Sequence, residues 1–116
     1  MADKAASSGA SMLYVTCTSV NEAKSIAASL LGERLIACGN ILPGMRALYW
    51  WQGEIAEDEE TVLLLKTRAD HVPAVIDRVR ALHSDDVPCI VELQLARGNP
   101  AYLDWLAAEA SGANAG

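Results

Sequence analysis

The chain has 116 residues, enough for one domain that buries its own core without metal or disulfide staples. Hydrophobic residues make up 52%, yet no window approaches the ~18 apolar residues of a membrane span, and a net charge of −6 opposes a phosphate-binding surface, so membrane and nucleic acid are both excluded. Three cysteines, an odd number, with no secretory signal in the first residues, point to free thiols in a reducing compartment, the cytoplasm by default.

Residues 1–11 are rich in Ala, Ser and Gly and read as a disordered tail, as do residues 111–116, leaving a single domain over 12–110. Met12–Thr18 alternates as a strand does. Ser19 and Glu22 fit a capping box, and Ala23, Ile26, Ala27, Leu30 and Leu31 follow at helical spacing over about 20–33. Two extended runs, near 36–51 and 53–67, meet at Gln52-Gly53, where Gly supplies the positive φ of a tight reversal. Asp70 is placed to cap a second helix with Val72, Val75, Ile76, Val79 and Leu82 on its apolar face, Pro73 lying in the first turn. Cys89–Ala96 forms a fourth strand. Asn99-Pro100 is an N-cap followed by Pro at N1, opening a last helix that buries Leu103, Leu106 and Ala110.

The order β-α-β-β-α-β plus a C-terminal helix predicts an α+β, ferredoxin-like sandwich. Right-handed crossovers put strand 1 between strands 3 and 4, with both helices on one sheet face. The other face, assigned the mixed set Ile90, Glu92, Gln94 and Ala96, is left for another subunit. The hairpin points the same way. Its first arm, broken only at Pro43-Gly44, can reach roughly 40 Å at ~3.3 Å per residue, further than a domain of this size extends. Part of it is expected to pair with another chain. Tyr49 and Trp51 fall on one face of the arm and Trp50 on the other, and all three are assigned to subunit packing.

These residues resemble the CutA family of divalent-cation tolerance proteins. The likeness covers roughly residues 12–107. It is carried by Leu35-Ile36-Ala37-Cys38-Gly39-Asn40-Ile41-Leu42-Pro43-Gly44, by Leu48-Tyr49-Trp50-Trp51-Gln52-Gly53-Glu54-Ile55, by Leu65-Lys66-Thr67 and by Tyr102-Leu103-Asp104-Trp105-Leu106. The resemblance implies a homotrimer of ferredoxin-like subunits with each long hairpin crossing a neighbour, similar to the nitrogen-signalling PII trimers. It also implies a part in the response to metal ions. Where the family pattern has His-Pro-Tyr-x-x-Pro-Glu, this chain has His83-Ser84-Asp85-Asp86-Val87-Pro88-Cys89, so Ser84, Asp85 and Cys89 stand for the family's Pro, Tyr and Glu.

Topology brings the end of strand 1 (Cys17), the end of helix 2 (His83) and the start of strand 4 (Cys89) to one rim. Two thiols and an imidazole suit Cu or Zn, with Asp85 or Asp86 as an oxygen donor, and a weak metal site is expected there. The bland alternative makes Cys17 a small core residue, His83 a solvated helix-end residue and Cys89 another buried thiol. Cys38 reads as structural. Lys66 and Arg68 are candidates for an anion, and Lys66 with Trp50 for a small ligand. The acidic run Glu54, Glu57, Asp58, Glu59 and Glu60 after the turn reads as a solvated strand edge. His71, in the first turn of helix 2, has no assigned role. Catalysis is not expected, since nothing beside Cys17 and His83 provides an oxyanion hole or a third group. Acylphosphatases, heavy-metal-associated domains and RNA-recognition modules share the element order, but their Gly-rich loop, Cys-x-x-Cys and strand aromatics are missing. The chain thus reads as a trimeric metal-tolerance protein, or alternatively as a PII-like module holding a small ligand or partner between subunits.

Overall fold

A computed structural model describes residues 7–112; the expected tails at 1–6 and 113–116 lie outside the described residues. The elements are β1 (Ala10–Cys17), α1 (Val20–Gly32), β2 (Cys38–Trp51), β3 (Glu54–Arg68), a 3₁₀ turn (Ala69–His71), α2 (Val72–Leu82), β4 (Ile90–Leu95) and α3 (Pro100–Glu109). They make a small α+β fold with one antiparallel four-stranded sheet in the order β2-β3-β1-β4, so β1 lies between β3 and β4 as the crossover argument requires.

Alternation decides what each sheet face covers. In β1, Leu13, Val15 and Cys17 point inward, and from β3 Leu63 and Leu65 join them. Ala23, Ile26, Ala27 and Leu30 of α1 and Val72, Val75 and Val79 of α2 close this core from one side. Gly39 lets α1 approach β2: a Cβ there would lie 3.1 Å from that of Ala27. The opposite face is covered at one end by α3, where Lys66 Nζ sits 5.3 Å above the Tyr102 ring and Leu106 and Ala110 are buried.

Several expectations are corrected. Ile90 is opposite Val15 and packs on the core, so Ile90, Glu92 and Gln94 lie on the helix-covered face. Val91 and Leu93, opposite Tyr14 and Met12, lie on the other face and are 51% and 47% exposed. The register of β1, set by burial of Leu13 and Val15, makes the choice. Residues read as N-terminal tail are held to the sheet: Ala10 and Ser11 belong to β1, the Ser8 hydroxyl donates to the Leu95 carbonyl, and Ala69 N–H donates to Gly9 O at 2.8 Å. Asp70 caps nothing, because its carboxylate is held by Arg68 at 2.6 and 3.0 Å. Glu22 reaches one residue further back than a capping box would, to Thr18 N–H at 2.9 Å.

The hairpin has two parts. Within the body β3 pairs with β1 on one side and β2 on the other. Beyond a bulge at Pro43-Gly44, where Gly44 has φ +78°, Met45–Trp51 pair only with Glu54–Glu60 as a two-stranded ribbon. Gln52 (φ +50°) and Gly53 (φ +82°) close it with the two positive φ angles of a type I′ turn. On one ribbon face Leu48, Trp50 and Ile55 are 70%, 72% and 67% exposed.

Candidate functional site

Cys17 ends β1 and His83 ends α2, and the two meet at one rim of the sheet. A third group, the Glu22 carboxylate, joins them. The ligand atoms of Cys17, Glu22 and His83 all lie within 4.8 Å of one another. Glu22 is brought there because its helix starts immediately after β1. The signal was present in the sequence, in the tight spacing of Cys17 and Glu22 across a strand-to-helix turn, but capping accounted for the carboxylate first.

The three side chains are held firmly. His83 is buried, not solvated; its Nε2 donates to Thr16 O at 2.8 Å and its Nδ1 accepts from Asp85 N–H at 3.0 Å. That pattern fixes the neutral tautomer with the proton on Nε2. Glu22 Oε1 accepts from Thr18 N–H at 2.9 Å and from Thr18 Oγ1 at 3.1 Å, while Oε2 accepts from Ser84 N–H at 2.8 Å. Burial pushes the Glu22 carboxyl up, but the donors of Ser84 and Thr18 outweigh it and hold the group down at about 2. Burial, aided by the charges of Glu22, Asp85 and Glu60, pushes the Cys17 thiol up to about 12. Glu22 thereby ties the start of α1 to the loop that follows α2.

That loop lines a cleft of about 800 Å³ facing the ribbon. Asp85, Asp86, Val87 and Cys89 form one wall; Tyr49, Trp51, Asp58, Glu59 and Glu60 form the other. Thr16 and Thr18 form the floor beside the Cys17 cluster. Cys89 lies just before β4, exposed and free, rather than buried as the bland alternative had it. The structure therefore joins Cys17 with His83 in one cluster, and Cys89 opens to the adjoining cleft. The Tyr49 hydroxyl donates to Asp58, and Arg46 bridges Glu57 at 3.0 Å and Glu59 at 3.7 Å on the opposite ribbon face.

The ligand candidates are far apart. Lys66 pairs with Cys38 in the body, whereas Trp50 lies twelve residues further along β2, up to about 40 Å away at ~3.3 Å per residue. No single-chain site holds both. The Tyr102 hydroxyl beside Lys66 raises its ammonium pKa, with a further contribution from Cys38. Arg68 is engaged by Asp70.

Residues 11–109 match the family model for CutA1 divalent ion tolerance proteins. This chain belongs to the CutA1 family. It is 48% identical over 95 residues to the divalent-cation tolerance protein CutA of Thermus thermophilus, an alignment covering 82% of this chain and 92% of the relative. The solved structure of that Thermus protein overlays with a TM-score of 0.83 at 46% identity, over 86% of this chain and 97% of the other. A periplasmic divalent cation tolerance protein CutA from Archaeoglobus fulgidus overlays with a TM-score of 0.84 at 36% identity, over 88% and 99% of the two chains. Against the chloroplastic CutA 1 of rice the identity is 40% over 95 residues, 82% of this chain but about half (54%) of that CutA protein.

Proposed function

We propose that the chain is a non-catalytic, homotrimeric divalent-cation tolerance protein that takes up copper- or zinc-type ions weakly at the rim formed by Cys17, His83 and Cys89. The observation that carries this reading is the meeting of the Cys17 thiol, the Glu22 carboxylate and the His83 ring within 4.8 Å, beside an acidic cleft that opens onto Cys89. Sulfur, imidazole and carboxylate together suit Zn²⁺ and copper. The same geometry accounts for weak binding. His83 must release either Thr16 O or the Asp85 amide to present a lone pair, and Cys17 must lose a proton held to about 12. Ions gathered by Asp85, Asp86 and the ribbon acids meet Cys89 first, where the family pattern has an acid. No helix among the described residues is long and apolar enough to cross a membrane. The three free thiols favour the cytoplasm, although the Archaeoglobus relative is named periplasmic.

The trimer is ferredoxin-like in its subunits and PII-like in assembly, with Tyr49, Trp50 and Trp51 at the interface. Exposure of Trp50 and Ile55 on a ribbon that pairs only with itself supports it. Calorimetric titration with Cu²⁺ and Zn²⁺ near pH 7 tests the metal reading. Cys17→Ser, His83→Ala and Cys89→Ser should each weaken binding several-fold, and unchanged binding in all three ends it.

A second, PII-like reading is favoured by Lys66, a cation on the sheet face away from α1 and α2, and by Trp50, exposed at the tip of the ribbon. In a trimer a neighbour's ribbon could bring the two together around a small anionic ligand. A thermal-shift panel of nucleotides and small acids distinguishes this from the metal reading, since stabilisation follows the species that binds the folded state.

A further inference from the structure

His71 ends the 3₁₀ turn just before α2, is completely buried, and both its ring nitrogens face carbonyl oxygens. Nδ1 lies 3.1 Å from Leu35 O, and Nε2 lies 3.2 Å from Gly112 O. A carbonyl has no hydrogen to give. A neutral imidazole carries one N–H and can satisfy one of these oxygens; the imidazolium carries two and satisfies both. The contrast with His83 is direct, because His83 faces one acceptor and one donor.

The contact joins two remote pieces of chain. Leu35 lies in the α1–β2 connection, where its carbonyl also accepts from Thr67 Oγ1 at 2.5 Å. Gly112 follows α3, and its N–H donates to Arg34 O at 3.0 Å. The approach is close enough to require glycine: a Cβ on residue 112 would lie 2.6 Å from Glu33 O and 2.9 Å from Arg34 O. The charged groups on the surrounding elements are engaged with one another. Asp70 pairs with Arg68, Glu33 of the α1 end with Arg78 of α2, and Arg34 with Glu109 of α3. Of these, Asp70 is the one that feels the charge of His71, which adds to the effect of Arg68 in lowering its carboxyl.

We propose that His71 is a proton-operated clasp for the C-terminal segment: with both ring nitrogens protonated it ties Gly112 to Leu35 and holds the end of α3 on the body, and release of one proton to solvent as pH rises removes one of the two bonds. The consequence reaches the sheet, because α3 carries the Tyr102 ring against Lys66 and so covers that end of the face away from α1 and α2.

The test uses the full chain labelled at histidine nitrogen, together with amide hydrogen exchange. At pH 5.5 both His71 nitrogens should show protonated-type shifts. Protection of the Gly112 amide, corrected for intrinsic base catalysis, should fall at least threefold by pH 8. In His71→Gln, which cannot titrate, that corrected protection should no longer vary with pH. Gly112→Ala should open the segment at every pH while the β1 amides stay protected. A single N–H on His71 from pH 5 to 8, or the same pH dependence in wild type and His71→Gln, overturns the proposal. Should His71→Gln fail to fold, the wild-type nitrogen shifts decide alone.

Discussion

Strand β3 lives in two environments. Its second half, Thr61–Arg68, is flanked by β1 and β2 and covered by α1 and α2, and Leu63 and Leu65 are fully buried there. Its first half, Glu54–Glu60, pairs with β2 alone, and Ile55 is exposed together with Leu48 and Trp50. Both halves are strand, but one finds its covering layer within the chain and the other does not. A two-stranded ribbon is marginal by itself in water. Stability of the chain thus belongs to the body, while Leu48, Trp50 and Ile55 of the ribbon stay open within the chain.

The largest effect should come from the buried half. Leu65→Ala leaves a cavity between the sheet and α1 and should cost about 3–5 kcal/mol in denaturant unfolding. A loss below about 1 kcal/mol would mean that the body is not where the stability lies.

Glu22→Gln should come next, because it weakens charge-assisted bonds to Thr18 and Ser84 at the rim of that body, at about 1.5–3 kcal/mol. The pH dependence has a definite sign. The Glu22 carboxyl stands at about 2 in the fold against an ordinary value of 4.5, so folding favours its charged form. Its contribution is complete above about pH 4.5 and is lost as pH falls toward 2. Acid unfolding of wild type and variant should converge across that window, and parallel curves would show that Glu22 is not the tie.

The ribbon should respond in the opposite manner. Trp50→Ala combined with Ile55→Ser should change the unfolding free energy of the dissociated chain by less than about 1 kcal/mol, since both residues are exposed there. The same pair should lower the sedimentation coefficient. If assembly survives intact, these side chains are not interface anchors.

The element order and the strand positions were legible because periodicity, the Ser19 and Asn99 caps and the Gln52-Gly53 turn each act over a few residues. What failed depended on long-range register or on competing partners. The face assignment of β4 required knowing which residues of β1 are buried. Asp70 looked like a cap until Arg68 took its carboxylate, and His71 looked idle because both of its acceptors, Leu35 and Gly112, are distant in sequence. Topology points to Cys17, His83 and Cys89 at one rim; the structure groups Cys17 and His83 with Glu22, hidden by its simpler role as a cap, and leaves Cys89 on the adjoining cleft.

The central claim is that the ribbon is completed by other copies of the chain. Sedimentation equilibrium of the purified protein at micromolar concentration measures this directly. The account predicts a single species of three times the 12.3 kDa chain mass. A species at the single-chain mass, with Trp50 still open to solvent, would contradict it.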